Sequence, residues 1–73
     1  MDRAEEIIFV VEEDPEGGYT ARALGYSIFT EADTYQDLRG AVRNAIRCHF
    51  DDEADIPKMI RLHQVRDEVL PYA

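Results

Sequence analysis

The chain has 73 residues, of which 45% are hydrophobic, and its 16 acidic and 8 basic side chains give a formal net charge of −8. This length allows one small domain, and a domain of this size buries only about 60% of its unfolded surface. The negative charge repels nucleic acid and anionic membranes, and the longest apolar run, 7–11, is too short to cross a membrane. With a charged stretch at 1–6 in place of a secretion signal, we expect a cytoplasmic domain that gains stability from a partner or a second copy.

The first apolar segment predicts a strand whose two faces are both buried. Residues 7–11 are continuously apolar and rich in branched and aromatic side chains, which is typical of such strands. Because successive side chains of a strand point to opposite faces, Phe9 and its odd-numbered neighbours face one way. Ile8 and Val10 face the other way. The predicted strand covers about 6–13.

Two shorter strands follow, each introduced by turn residues. Residues 14–18 read Asp-Pro-Glu-Gly-Gly, a turn in which proline presets one torsion angle and the glycines accept positive φ. Residues 18–24 predict the returning strand of a hairpin, and Gly25 ends it. Residues 27–32 predict a third strand.

The segment 34–50 predicts an amphipathic helix. Thr34 is placed to cap its first turn, and Gly40 inside it costs about 1 kcal/mol relative to alanine. The apolar stripe consists of Leu38, Ala41, Val42, Ala45, Ile46 and His49, at the spacing of one helix face. The positive side consists of Arg39, Arg43 and Arg47, at four-residue intervals. We expect the single cysteine, Cys48, to be a packed thiol on the flank of the helix.

A fourth strand at 59–66 follows the polar connection 51–57. The order β-β-β-α-β predicts an antiparallel meander, with the helix as the crossover that brings the fourth strand in parallel to the first. We therefore expect residues 1–73 to form one α+β domain, a two-layer sandwich with the helix on one sheet face. The other face keeps apolar side chains uncovered. This surplus predicts a homodimer or dimer-based oligomer that uses the spare face, an exposed edge strand, or both.

Three short segments carry a resemblance to a known family. Residues 14–19 read DPEGGY, residues 30–34 read TEADT, and the helix begins with YQDL at 35–38. In this order, with a short strand between the first two, they resemble the HicB-like antitoxin family. Members of that family have a partial ribonuclease-H-like β-β-β-α-β fold. The resemblance covers residues 5 to about 66.

The chain departs from the family pattern at two places. Residues 23–28 replace a Pro-x-x-Pro-Gly-Cys-like segment, and the sequence up to Ala73 contains no C-terminal DNA-binding module. The resemblance thus implies a stand-alone antitoxin-type domain that binds and neutralises a small basic RNA-cleaving toxin, without direct nucleic-acid binding. The alternative is an orphan homo-oligomer with a structural or small-ligand-sensing role and no toxin.

The sequence offers no arrangement that favours catalysis. A ribonuclease-H-type site needs a carboxylate inside the first strand, and residues 7–11 contain none. Cys48, His49 and His63 lack the spacing of a transition-metal site. We therefore expect no enzyme activity, cofactor or metal. The candidate partner or oligomer interface comprises Phe9, Val10, Tyr19, Arg22, Ile28 and Phe29.

Overall fold

A computed structural model describes residues 6–73 of the chain. The elements are β1 (Glu6–Glu13), β2 (Tyr19–Ala23), β3 (Phe29–Ala32), helix α1 (Tyr35–His49), a short 3-10 turn (Glu53–Asp55) and β4 (Met59–Val65). Every predicted boundary lies within two residues of the observed one. The first five residues of the predicted domain lie outside the described residues.

The strands of residues 6–73 form one sheet in the order β3-β2-β1-β4. Strand β1 is antiparallel to β2 and parallel to β4, and β2 is antiparallel to β3. Helix α1 makes the crossover that parallel pairing requires. The predicted α+β fold is therefore confirmed, and β3 and β4 are the edge strands.

The helix covers one face of the sheet, and the core lies between them. Leu38, Val42 and Ile46 recur every four residues of α1 and are buried. The predicted parity of the first strand is confirmed, because the odd-numbered residues of 7–11 are buried in the core. The core consists of Ile7, Phe9, Val11, Ala21, Ala23, Ile28, Leu38, Val42 and Ile46.

Both ends of α1 are capped. Thr34 has an extended backbone (φ −126°), and its Oγ1 accepts a hydrogen bond of 3.0 Å from the backbone N–H of Asp37. Asp37 also places a negative charge in the first turn, where the helix dipole favours it. At the other end, the N–H of Phe50 donates to the carbonyl of Ile46 over 3.1 Å. These caps explain why the helix begins and ends where the sequence predicts.

Two expectations about the last turn of α1 are wrong. His49 is exposed rather than part of the buried stripe, and its ring packs edge-on against Tyr26 and Phe50, at centroid distances of 5.9 and 4.9 Å. This turn meets the loop between β2 and β3 instead of the strands, so it lacks a surface that would bury it. The thiol of Cys48 is exposed for the same reason.

Candidate interaction surface

The face of the sheet opposite α1, the open face, is crossed by one continuous row of side chains. Val10 lies at its centre, opposite Arg22 on β2 and His63 on β4. Arg22 lies in turn opposite Phe29 on the edge strand β3, and the Phe29 side chain is 62% exposed. The row Phe29–Arg22–Val10–His63 therefore spans the sheet from one edge to the other.

Strand β4 extends this surface along the second edge. Met59 and Val65 lie on the same face as His63 and are exposed. Between them, Arg61 Nε lies 3.0 Å from Glu6 Oε1 in an ion pair on the exposed surface. Such pairs contribute little stability. The pair offsets charge within the face and leaves apolar side chains on both sides of it.

A band of carboxylates, the acidic rim, lies at the β1–β2 turn end of the sheet. On the open face, Glu12 of β1, Thr20 of β2 and Glu31 of β3 lie opposite one another in register. The exposed members of the rim are Glu12, Glu13, Asp14, Glu16, Glu31 and Asp33. An open depression of about 420 Å³ lies among Asp14, Glu31 and Asp33. The rim makes this end of the domain strongly negative.

The rim is held by the hairpin turn itself. Asp14 Oδ1 accepts a hydrogen bond of 2.9 Å from the N–H of Glu16, and the Asp14 carbonyl accepts one of 2.9 Å from Gly17. Gly17 and Gly18 both have positive φ, the conformation for which the sequence predicted them. The turn chemistry therefore determines where the carboxylates of Asp14 and Glu16 lie.

Three of the candidate interface residues lie on the open face. They are Val10, Arg22 and Phe29. Arg22 and Phe29 are exposed, and Val10 is half-buried. Their place on one face follows from the register of β1, β2 and β3.

The other three candidates face the helix. Phe9 is fully buried at 0% exposure, and Ile28 is buried with it in the core. Tyr19 is half-buried, with its ring 5.7 Å from that of Tyr35. Ile28 precedes β3 and its carbonyl accepts the N–H of Ala23, which closes the loop over the core. Phe9 and Ile28 are thus placed to support the fold, whereas Tyr19 also lines the depression in the acidic rim.

The candidate interface predicted from the sequence contains no residue of β4. Strand alternation places Met59, His63 and Val65 on one face of β4, but which face of the sheet this is depends on the pairing of β4 with β1. The observed pairing of Val10 with His63 settles it. The signal for this face was the alternation of side chains along β1 and β4, combined with the parallel direction of the two strands.

Two classes of site are not found in the described part of the chain. Within residues 6–73, no group of three or more His, Cys, Asp or Glu side chains could hold a metal ion. No helix of this same range is long and apolar enough to cross a membrane.

Over residues 6–73, the fold and the open face define a small α+β domain whose sheet is covered by a helix on one side and by no other described element on the other. Two relatives are similar to this chain in sequence, and each is named UPF0150 protein. The one from Thermotoga maritima is 39% identical over 67 residues, which are 92% of this chain and 93% of the relative. The one from Archaeoglobus fulgidus is 47% identical over 58 residues, 80% of this chain and 85% of the relative.

The chain therefore belongs to the UPF0150 protein family. No family sequence model matches the chain, and no solved structure matches it. The name of the relatives describes no activity or partner, so the HicB-like resemblance stays a prediction.

Proposed function

We propose that this protein is a HicB-like, antitoxin-type interaction module that binds a small basic RNA-cleaving protein through the open face and the acidic rim. The observation that carries the proposal is the uncovered row Phe29–Arg22–Val10–His63 beside a band of carboxylates. The resemblance of the turn and helix cap to HicB-like antitoxins points to the same class of partner.

The apolar part of the surface supports contact with another protein. Scattered exposed apolar residues are normal on small domains. Here Val10 and Ile8 lie in the central strand, and Phe29 and Met59 lie on the opposite edge strands of the same face. Aromatic side chains bury a large area and often dominate binding energy. Phe29 is therefore the expected anchor.

The charge supports a basic partner. A protein that cleaves RNA needs a positive surface to attract phosphate. The acidic rim presents exposed carboxylates next to the apolar row, and the chain as a whole carries −8. Such a surface speeds association with a basic partner and competes with RNA for the same site.

The test begins with the untagged protein purified from the cells in which it occurs naturally. We expect a small basic protein to copurify and, once separated, to cleave RNA; adding the present chain should then inhibit cleavage. Phe29→Ser and Glu31→Lys should each weaken binding at least about tenfold. Glu53→Lys makes the same charge change in the 3-10 turn and should bind as the wild type does. Equal losses from Glu31→Lys and Glu53→Lys would argue against the rim.

The same open face supports a second candidate, a homo-oligomer with a structural or small-ligand-sensing role. Arg22 and Arg61 lie on this face together with Glu12 and Glu31, so two copies related by a two-fold axis could pair opposite charges while covering Val10 and Phe29. Light scattering of the pure protein separates the candidates. A dimer that Phe29→Ser converts to a monomer favours self-association through the open face. An open face that takes no part in self-association and binds the basic protein favours the antitoxin-type role.

A further inference from the structure

A second surface, distinct from the open face, lies between the helix and the last strand. Helix α1 packs closest to β2 and β3, whereas β4 is at the margin of the sheet. Ile60 points to the helix side yet is 37% exposed. Two adjoining depressions, of about 410 and 310 Å³, share Arg43 and Ile60. Together they form the α1–β4 groove.

The groove has an apolar floor and a positive wall. Its floor is formed by Val42 of α1 with Ile60 and Leu62 of β4. The wall is formed by Arg39, Arg43 and Arg47, with Lys58 at the end nearer the 3-10 turn, where the carboxylate of Glu53 also lines the groove. Within residues 6–73 no ion pair joins these cations to a carboxylate. The groove therefore concentrates positive charge on a chain whose net charge is −8.

The segment that follows β4 has the complementary chemistry. Residues 66–73 have no regular secondary structure. The acidic pair Asp67 and Glu68 is followed by Val69 and Leu70, which are 91% and 72% exposed, and by the fully exposed Tyr72. The acidic pair matches the positive wall of the groove, and the exposed apolar side chains match its apolar floor.

We propose that the 66–73 segment of one copy lies in the α1–β4 groove of a second copy, and that the reciprocal contact closes a two-fold dimer. The carboxylates of Asp67 and Glu68 would pair with Arg39 and Arg43. The apolar side chains that follow would cover Ile60 and its neighbours. The backbone of the segment would also run beside β4, an edge strand with unpaired peptide groups.

The direction of the segment favours a second copy over the chain's own groove. The segment leaves β4 near the acidic rim, where it borders Glu12, Glu13 and Pro15, and this direction leads away from its own groove. An extended segment of this length reaches roughly 25 Å. The helix rise from Arg39 to Arg47 is only about 12 Å. The segment is thus long enough to follow the whole positive wall of a neighbour.

Charge-swapped variants test the proposal. Asp67→Lys/Glu68→Lys places positive charges on the segment, and Arg39→Glu/Arg43→Glu places negative charges on the groove. Each variant alone would bring like charges together and should weaken self-association at least about tenfold in sedimentation experiments at low salt. An equimolar mixture of the two should form a heterodimer as tight as the wild-type dimer, because both of its contacts then join opposite charges.

The mixture shows whether the segment of a second copy or the chain's own segment lies in the groove. If each chain filled its own groove, mixing would restore nothing, and the proposal would be overturned. A wild-type chain that remains monomeric at high micromolar concentration would overturn it too, as would variants that associate like the wild type. Leu70→Ser should weaken the dimer, and thermal melts should show that every variant is folded. Phe29→Ser, which removes the open-face anchor, should leave this dimer intact. A failure of the dimer proposal can therefore be distinguished from a failure of the proposed function.

Discussion

Phe9 and Val10 are adjacent in β1, yet Phe9 is completely buried beneath α1 whereas Val10 is half-buried on the open face. The alternation of a strand produces this difference, because α1 covers only one side of the sheet. One residue is therefore needed for folding, and the next is available for binding.

Placing a charge at each of these positions should separate folding from binding. Phe9→Lys would bury an unpaired ammonium group in the core, at a cost of several kcal/mol, and should leave the chain unfolded. Val10→Lys should stay folded, since a lysine side chain can direct its charged end to solvent from a half-buried site. Circular dichroism and binding of the basic partner measure the two effects. Unfolding by both variants, or by Val10→Lys alone, would mean that the open face is covered.

The helix faces give a second contrast. Val42 and Ile46 are buried, and Arg43 between them is exposed. Val42→Asp or Ile46→Asp should unfold the domain because either buries an unpaired carboxylate. Arg43→Ala should change the free energy of unfolding by less than about 0.5 kcal/mol. Thermal melts that show similar losses for Ile46→Asp and Arg43→Ala would contradict the observed faces.

The fold could be predicted because local signals agreed with one another. The parity of residues 7–11, the Asp14–Gly18 turn and the Thr34 cap each specified an element or a face, and all are observed. His49 was misplaced because helical periodicity says which residues share a stripe, and does not say where the supporting sheet ends. Only the position of α1 over β2 and β3 reveals that.

The candidate surfaces were predictable in part. The sequence indicated an uncovered face, and Val10, Arg22 and Phe29 lie on it. Phe9 and Ile28 were also predicted as interface residues, but both fill the core. A side chain that fills the core cannot also face a partner. The α1–β4 groove had no local signal, because it depends on how far the helix is displaced from β4.

Two glycines should respond in opposite ways to alanine. Gly40 lies in α1 with no atom within 4 Å of the position that a Cβ would occupy, so no close packing requires glycine there. Gly40→Ala should stabilise the domain by about 0.5–1 kcal/mol by favouring the helix. Gly18 has φ +91°, and its Cβ would lie 3.1 Å from the carbonyl oxygen of Ala32. Gly18→Ala should therefore destabilise the domain.

Chemical denaturation measures both changes under the same conditions. The two variants add the same methyl group, so side-chain hydrophobicity cancels in the comparison. A loss of stability in Gly40→Ala would indicate a contact to Gly40 that the described structure does not contain.

The helix cap gives the last prediction. The 3.0 Å hydrogen bond from the Asp37 N–H to Thr34 Oγ1 satisfies a backbone donor that has no partner within the helix. Thr34→Ala removes the acceptor and should cost about 1 kcal/mol. For a domain of this size that lowers the melting temperature by about 4–8 °C. Thr34→Ser keeps the hydroxyl and removes only a methyl group from an exposed side chain, so it should melt within about 2 °C of the wild type. If Thr34→Ser loses as much as Thr34→Ala, the methyl group rather than the hydrogen bond stabilises the start of α1.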